Sequence, residues 1–152
     1  MRKNIQVRKN NRYRPSFEGL KNALAKHSIE LKQDAMQKLW AYHQLIHKNN
    51  EDGDLTRLRS FETMVEKHYA DCIITNAFVN EWPNKMLDIG SGAGFPGIPL
   101  KIVNPHINLT LCEPRNVRVN FLNHVIEKLD LKDIQVFGHK VTSNSMNTPV
   151  KG

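Results

Sequence analysis

From Lys85 to Leu100 the chain reads K-M-L-D-I-G-S-G-A-G-F-P-G-I-P-L. Asp88 closes a short apolar run, and three glycines then take alternate positions, Gly90, Gly92 and Gly94. Gly97 follows, with Pro96 and Pro99 around it. The chemistry of such residues is that of holding a ligand. Glycine allows backbone angles closed to other residues and lets a ligand come close to the main chain. A helix N-terminus beyond the turn offers unpaired N–H groups. Strand, glycine-rich turn and helix together open a nucleotide-binding βαβ unit.

Two ligand classes fit the same residues. Gly92-x-Gly94-x-x-Gly97 matches the dinucleotide pattern, with Glu113 about 20 residues on as that pattern requires. Asp88-x-Gly90-x-Gly92-x-Gly94 matches the nucleoside-binding turn of the Rossmann-like S-adenosylmethionine (SAM) methyltransferases. In either case Glu113, at the end of a second strand, is placed to accept hydrogen bonds from ribose hydroxyls. Asp88 has two readings: it contacts the ligand's amino group or organises the turn, or it caps backbone N–H groups there.

The elements that must position these residues follow from hydrophobic spacing. The pattern predicts strands over 86–89, 108–112 and 134–137, with helices over 97–103 and 116–129 between them. Two consecutive βα units and a third strand imply a parallel sheet with helices on its faces. Ahead of it three helices are expected. The first is capped by Ser16, with Phe17, Leu20 and Leu24 on one face. The second covers 32–48, with Met36, Leu39, Trp40, His43, Ile46 and His47 on its packed stripe. The third covers 60–79, with Phe61, Met64, Val65, His68, Tyr69, Cys72 and Ile73 inside. His43 and His47 lie one turn apart and read as a packed pair rather than metal ligands, since no third ligand is near. Residues 49–54 form a polar loop without the spacing of a calcium-binding loop. After Gly138 the sequence turns polar and aperiodic, so the second half of a doubly wound sheet is expected to be missing. The expected divisions are a basic disordered arm (1–15), a helical cap (16–84) and a truncated Rossmann-like half-domain (85–152).

Composition narrows the class. The 152 residues suffice for one core, and a mean hydropathy of −0.52 is that of a soluble globular chain. No apolar run is long enough for a membrane helix, and the basic N-terminus lacks the apolar region of a secretory signal, so none is expected there. Cys72 and Cys112 read as free thiols of a reducing cytosol. Of 22 basic residues, six lie in 1–14, where no acid occurs, so this arm carries most of the +7 net charge. Such an arm is either a phosphate-neutralising segment or a solvated terminus.

The glycine stretch, and especially Phe95-Pro96-Gly97-Ile98-Pro99, resembles the signature of the RsmG family, once called glucose-inhibited division protein B, the bacterial 16S ribosomal RNA guanine-N7 methyltransferases. Three further segments are similar. Asp54-Leu55-Thr56 through Arg59 resembles that family's N-L-T-x-x-R, with Asp54 for Asn. Lys67-His68-Tyr69-Ala70-Asp71-Cys72 resembles its R-H-x-x-D-S. Glu113 through Arg118, Phe121 and Leu122 resembles its acid followed by K-R-x-x-F-L, with Val117 in place of Lys. The likeness covers about 20–142. Where the family has a small or apolar residue and then an acid after the third strand, this chain has Val141 and Thr142.

The resemblance implies a Rossmann-like SAM-dependent methyltransferase fold and SAM held by Asp88, Gly90, Gly92, Gly94, Phe95, Glu113, Val141 and Thr142. It implies 16S rRNA or the small ribosomal subunit as partner, met by Arg57, Arg59, Lys67 and Arg118, in the cytoplasm, without membrane or metal. Guanine N7 has a free lone pair at neutral pH, so no general base and no catalytic residue are expected. Two other readings stay open: a SAM-binding fragment without turnover, and an NAD-binding piece of an oxidoreductase.

Overall fold

Ser16 starts the first helix by accepting a hydrogen bond on its hydroxyl from the Gly19 amide at 2.9 Å. In the computed structural model, which describes residues 15–50, 55–57 and 60–142, helix α1 runs Phe17–Ala25 and buries Leu20, Ala23 and Leu24. The chain reverses at Ser28, which takes φ of 59°, and α2 runs Gln33–Asn49. The buried stripe of α2 is Met36, Leu39, Tyr42, His43 and Ile46. It is rotated from the expected one: Tyr42 is fully buried, Trp40 is half-buried and His47 is exposed. Spacings of three and four from Leu39 are both helical, so the stripe's edge is set by what packs on it.

The expected third helix is one rod with a change of hydrogen bonding inside it. Helix α3, Phe61–Met64, is capped by the Ser60 hydroxyl, which accepts from the Thr63 amide at 3.1 Å. A π-helical turn, Val65–Ala70, follows, then α4, Asp71–Ile74, and a 3-10 turn, Thr75–Ala77. The widened turn holds Lys67, His68 and Tyr69, and such turns mark functional positions more often than regular helix does. The rod ends before the expected residue 79, and Phe78 is 81% exposed.

Strands β1 (Lys85–Ile89), β2 (Asn108–Cys112) and β3 (Ile134–Phe137) form a parallel sheet in the order β1-β2-β3. Helices α5 (Gly97–Val103) and α6 (Asn116–Lys128) make the crossovers. The register sets Asp88 beside Leu111 and Leu111 beside Val136. Alternation sends Met86 and Asp88 to the same face as Leu109 and Leu111. That face carries one continuous core, which runs from Leu20 and Leu39 in the helical segment through Ile98 and Leu111 to Leu122 and Val125. On the other face Leu87 and Ile89 remain 51% and 54% exposed. Among the described residues no strand pairs with the outer edge of β1. Nor is any helix among them long and apolar enough to cross a membrane.

Candidate functional site

The turn after β1 is tied down at both ends. Asp88, at the strand's inner end, accepts on Oδ2 from the Gly97 amide at 3.1 Å and so caps α5. Of the two readings of Asp88, capping is the one this geometry displays. Burial pushes its carboxyl above the usual range, while the bonds from Gly97 and Ser91 pull the other way. The Gly90 and Ser91 amides both donate to the Cys112 carbonyl of β2, at 2.8 and 3.1 Å. The Gly94 and Phe95 amides donate to the Ser91 carbonyl, at 2.7 and 3.0 Å.

Glu113 crosses the mouth of the turn. It is 3% exposed; Oε2 accepts from the Gly92 amide at 3.0 Å and Oε1 from the Arg115 amide at 2.9 Å. Arg118 Nη1 lies 3.7 Å from Oε2. The two pieces singled out in sequence, the glycine turn and the acid 21 residues beyond Gly92, thus meet directly. The Glu113 amide donates to the Phe137 carbonyl, which keeps the end of β3 beside the acid. Val141 and Thr142 follow that end, half-buried and exposed respectively.

The glycines divide into two kinds. Gly90 and Gly92 have φ of +79° and +59°, and a Cβ there would meet nothing closer than 3.9 Å. Gly94 and Gly97 face packed atoms: a Cβ on Gly94 would fall 2.6 Å from Ile98 Cγ1, and one on Gly97 would fall 2.5 Å from Leu111 Cδ2. The backbone at Gly90 and Gly92 is thus left unobstructed beside the buried Glu113 carboxylate.

Side chains from the helical segment close the far side of the turn. The Tyr42 hydroxyl donates to the Ala93 carbonyl at 2.7 Å. Phe95 is half-buried; its ring stacks on His68 with centroids 4.0 Å apart and leans on Tyr42 and Tyr69. His68 Nε2 lies 3.4 Å from Thr56 Oγ1, and burial lowers its pKa from the ordinary imidazole value. The motif residue His68 is therefore held by Thr56 and Phe95. Behind it, His43 Nδ1 and the Tyr69 hydroxyl pair at 3.0 Å, and burial lowers the His43 pKa to about 4. Among the described residues no group of three or more side chains is placed to hold a metal.

Sequence reasoning missed Tyr42. Its only signal was the spacing of three to Leu39, which a tyrosine shares with many surface positions. Arg57 and Lys67 are exposed, each next in sequence to a residue of this cluster, Thr56 and His68. Arg118 stands against Glu113 inside the site. Arg59, Asp54 and the basic arm lie outside the described residues.

A family model described as GidB, rRNA small subunit methyltransferase G, matches residues 35–151, a span holding Tyr42, the whole turn and Glu113. The chain belongs to this family. Ribosomal RNA small subunit methyltransferase G 2 of Syntrophobacter fumaroxidans is 38% identical over 138 residues, which are 91% of this chain and 27% of that protein. Ribosomal RNA small subunit methyltransferase G of Mycoplasma capricolum is 39% identical over 116 residues, 74% of this chain and 49% of that protein. Its counterpart in Mycoplasma mycoides is 37% identical over 116 residues, 74% of this chain and 82% of that protein. The chain thus spans half or less of the first two rRNA small subunit methyltransferase G proteins and most of the third.

Proposed function

We propose that the turn from Asp88 to Gly97, with Glu113, is a SAM site, and that this chain carries the cofactor half of a methyltransferase for guanine N7 of 16S rRNA in the cytoplasm. The observation that carries the reading is the Glu113 carboxylate meeting the Gly92 amide across the turn, beside two glycines whose open side is bare backbone. SAM supplies an electrophilic methyl on a sulfonium. The protein residues bind and orient. Gly90 and Gly92 let the ligand lie against the main chain. Glu113 offers its remaining lone pairs to ribose hydroxyls, and Arg118 holds that carboxylate in place. Phe95, backed by His68, gives the site an apolar wall.

Guanine N7 attacks with a free lone pair, so no side chain need take a proton, and alignment is the enzyme's contribution. A base must leave its stack to be reached, which suits a loop of structured RNA. In this reading Arg57, Arg59, Lys67 and the arm 1–14 meet phosphates, 16–84 is a helical cap and 85–152 is a Rossmann-like half-domain. Val141 and Thr142 border the adenine side of the ligand.

Calorimetric titration of the 152-residue chain with SAM, and with NAD as control, tests the site. Saturable SAM binding without an NAD signal is expected; the reverse would move the chain to the oxidoreductases. Methyl transfer to undermethylated small ribosomal subunits then tests the activity. Binding without transfer would identify a cofactor-binding fragment, a reading favoured by the half-exposed Leu87 and Ile89 on the open sheet face.

A further inference from the structure

We propose that Tyr42 is a positioning residue for the cofactor turn: it acts on the ligand through the Ala93 carbonyl, from a helix outside the βα unit. The inference rests on the SAM-site reading above and adds to it a residue that no motif contains. Tyr42 is fully buried, and its hydroxyl donates to the Ala93 carbonyl at 2.7 Å across 51 residues of sequence.

The geometry explains why the turn needs an outside hold there. Its first half is fixed from β2: Cys112 accepts from Gly90 and Ser91, and Glu113 accepts from Gly92. Its second half bonds back to Ser91 through the Gly94 and Phe95 amides and to Asp88 through the Gly97 amide, and none of these bonds uses the Ala93 carbonyl. Gly94, at φ +108°, adds little steric resistance to either orientation of the Ala93–Gly94 peptide, which is otherwise tied only through its own amide to the Ser91 carbonyl. One fixed donor at the carbonyl of that peptide adds a second hold on its orientation, and the Tyr42 hydroxyl supplies it. The fit is close enough that a Cβ on Gly94 would come within 2.9 Å of that hydroxyl. Burial and the neighbouring Tyr69 raise the Tyr42 pKa, so the hydroxyl keeps its proton at any working pH.

The selected orientation bears on the ligand through two neighbours. Ala93 sits between Gly92, whose amide is on Glu113, and Phe95, the apolar wall. A peptide that turns over would redirect both. Tyr42 is itself fully buried, with its ring against Phe95, so its effect is on preorganisation, as is typical of groups that hold binding residues in place.

Tyr42→Phe keeps the ring and removes the hydroxyl. Tyr69→Phe is the matched control. It removes an equally buried hydroxyl from the same cluster, one that pairs with His43 rather than the turn. SAM affinity by calorimetry should fall about fivefold in Tyr42→Phe, the scale of one buried hydrogen bond, and stay unchanged in Tyr69→Phe. Equal affinity in Tyr42→Phe and the parent chain, or an equal loss in both variants, would overturn the proposal. The second readout needs no ligand: amide hydrogen exchange at Gly94 in the free chain should quicken in Tyr42→Phe alone. Should the parent chain bind no SAM, the cofactor reading fails. The exchange measurement then decides by itself whether Tyr42 positions the turn, and equal exchange in the two variants overturns it.

Discussion

A Cβ on Gly90 would face open space and one on Gly92 would meet only ordinary contacts at 3.9 Å, whereas Gly94 and Gly97 face packed side chains, although all four lie within residues 90–97. The open half is anchored by backbone and carboxylate acceptors at the end of β2. The closed half is walled by Tyr42, Ile98, Leu111 and Leu122 from four different elements. Glycine thus serves two ends in one motif. On the open side it leaves the backbone unobstructed, which the proposed cofactor site requires, and on the closed side it lets helix and turn pack against strand.

Alanine scanning of the glycines breaks or sharpens that comparison. Gly94→Ala combines a left-handed backbone with collisions against Ile98 and Tyr42. It should lower stability by about 3 kcal/mol or more in urea unfolding. Gly92→Ala meets only the backbone penalty, about 1 to 2 kcal/mol, and should weaken SAM binding more than its stability loss accounts for. Equal destabilisation by the two variants would erase the distinction between the halves.

A smaller effect is expected on the open side from Glu113→Gln. The neutral amide keeps one oxygen to accept from either Gly92 or Arg115, turns its NH2 toward the other amide, and loses the charge that attracts Arg118. The expected cost is about 1 kcal/mol in the free protein, with a larger loss in SAM affinity. A variant that binds SAM as the parent does would remove Glu113 from the site.

The smallest effect at neutral pH concerns the closed side. His43 is buried behind Tyr69, with its pKa lowered from 6.5 to about 4 by burial first and by nearby His47 second. Its folded pKa is depressed, so the unfolded chain binds the proton more readily. The associated stability is complete above 6.5, is lost as pH falls from 6.5 to about 4, and is constant below. Stability of His43→Gln measured across that window should lack this part of the slope. Parallel curves for variant and parent would show that His43 is not held neutral by its burial.

Much of the βα part was legible because local rules decide it. The α5 and β2 spans matched the expectation, and β1 differed by one residue. Each has sharp signals at its ends: glycines before α5, a proline after it, an acid after β2. The capping hydroxyl of Ser16 was equally readable. The helical segment was less so. Its three helices were expected, but the π-helical turn at Val65–Ala70 was not, because apolar spacings of three and four continue unbroken through those residues. The rotation of α2 toward Tyr42 had the same cause, since spacings of three and four fit its face equally.

By itself the sequence determined a parallel βα sheet, a glycine turn after its first strand, and the acid at the end of the second strand that meets it. Those features depend on backbone angles and residue order within short spans, which composition and spacing report. Tertiary structure alone decided which glycines are open and which are closed. It alone turned Asp88 toward the α5 N-terminus, set Arg118 against Glu113, and brought Tyr42 from a distant helix onto the Ala93 carbonyl. Each is a contact between elements far apart in the chain, and it exists only once the shared core has set their distance and angle.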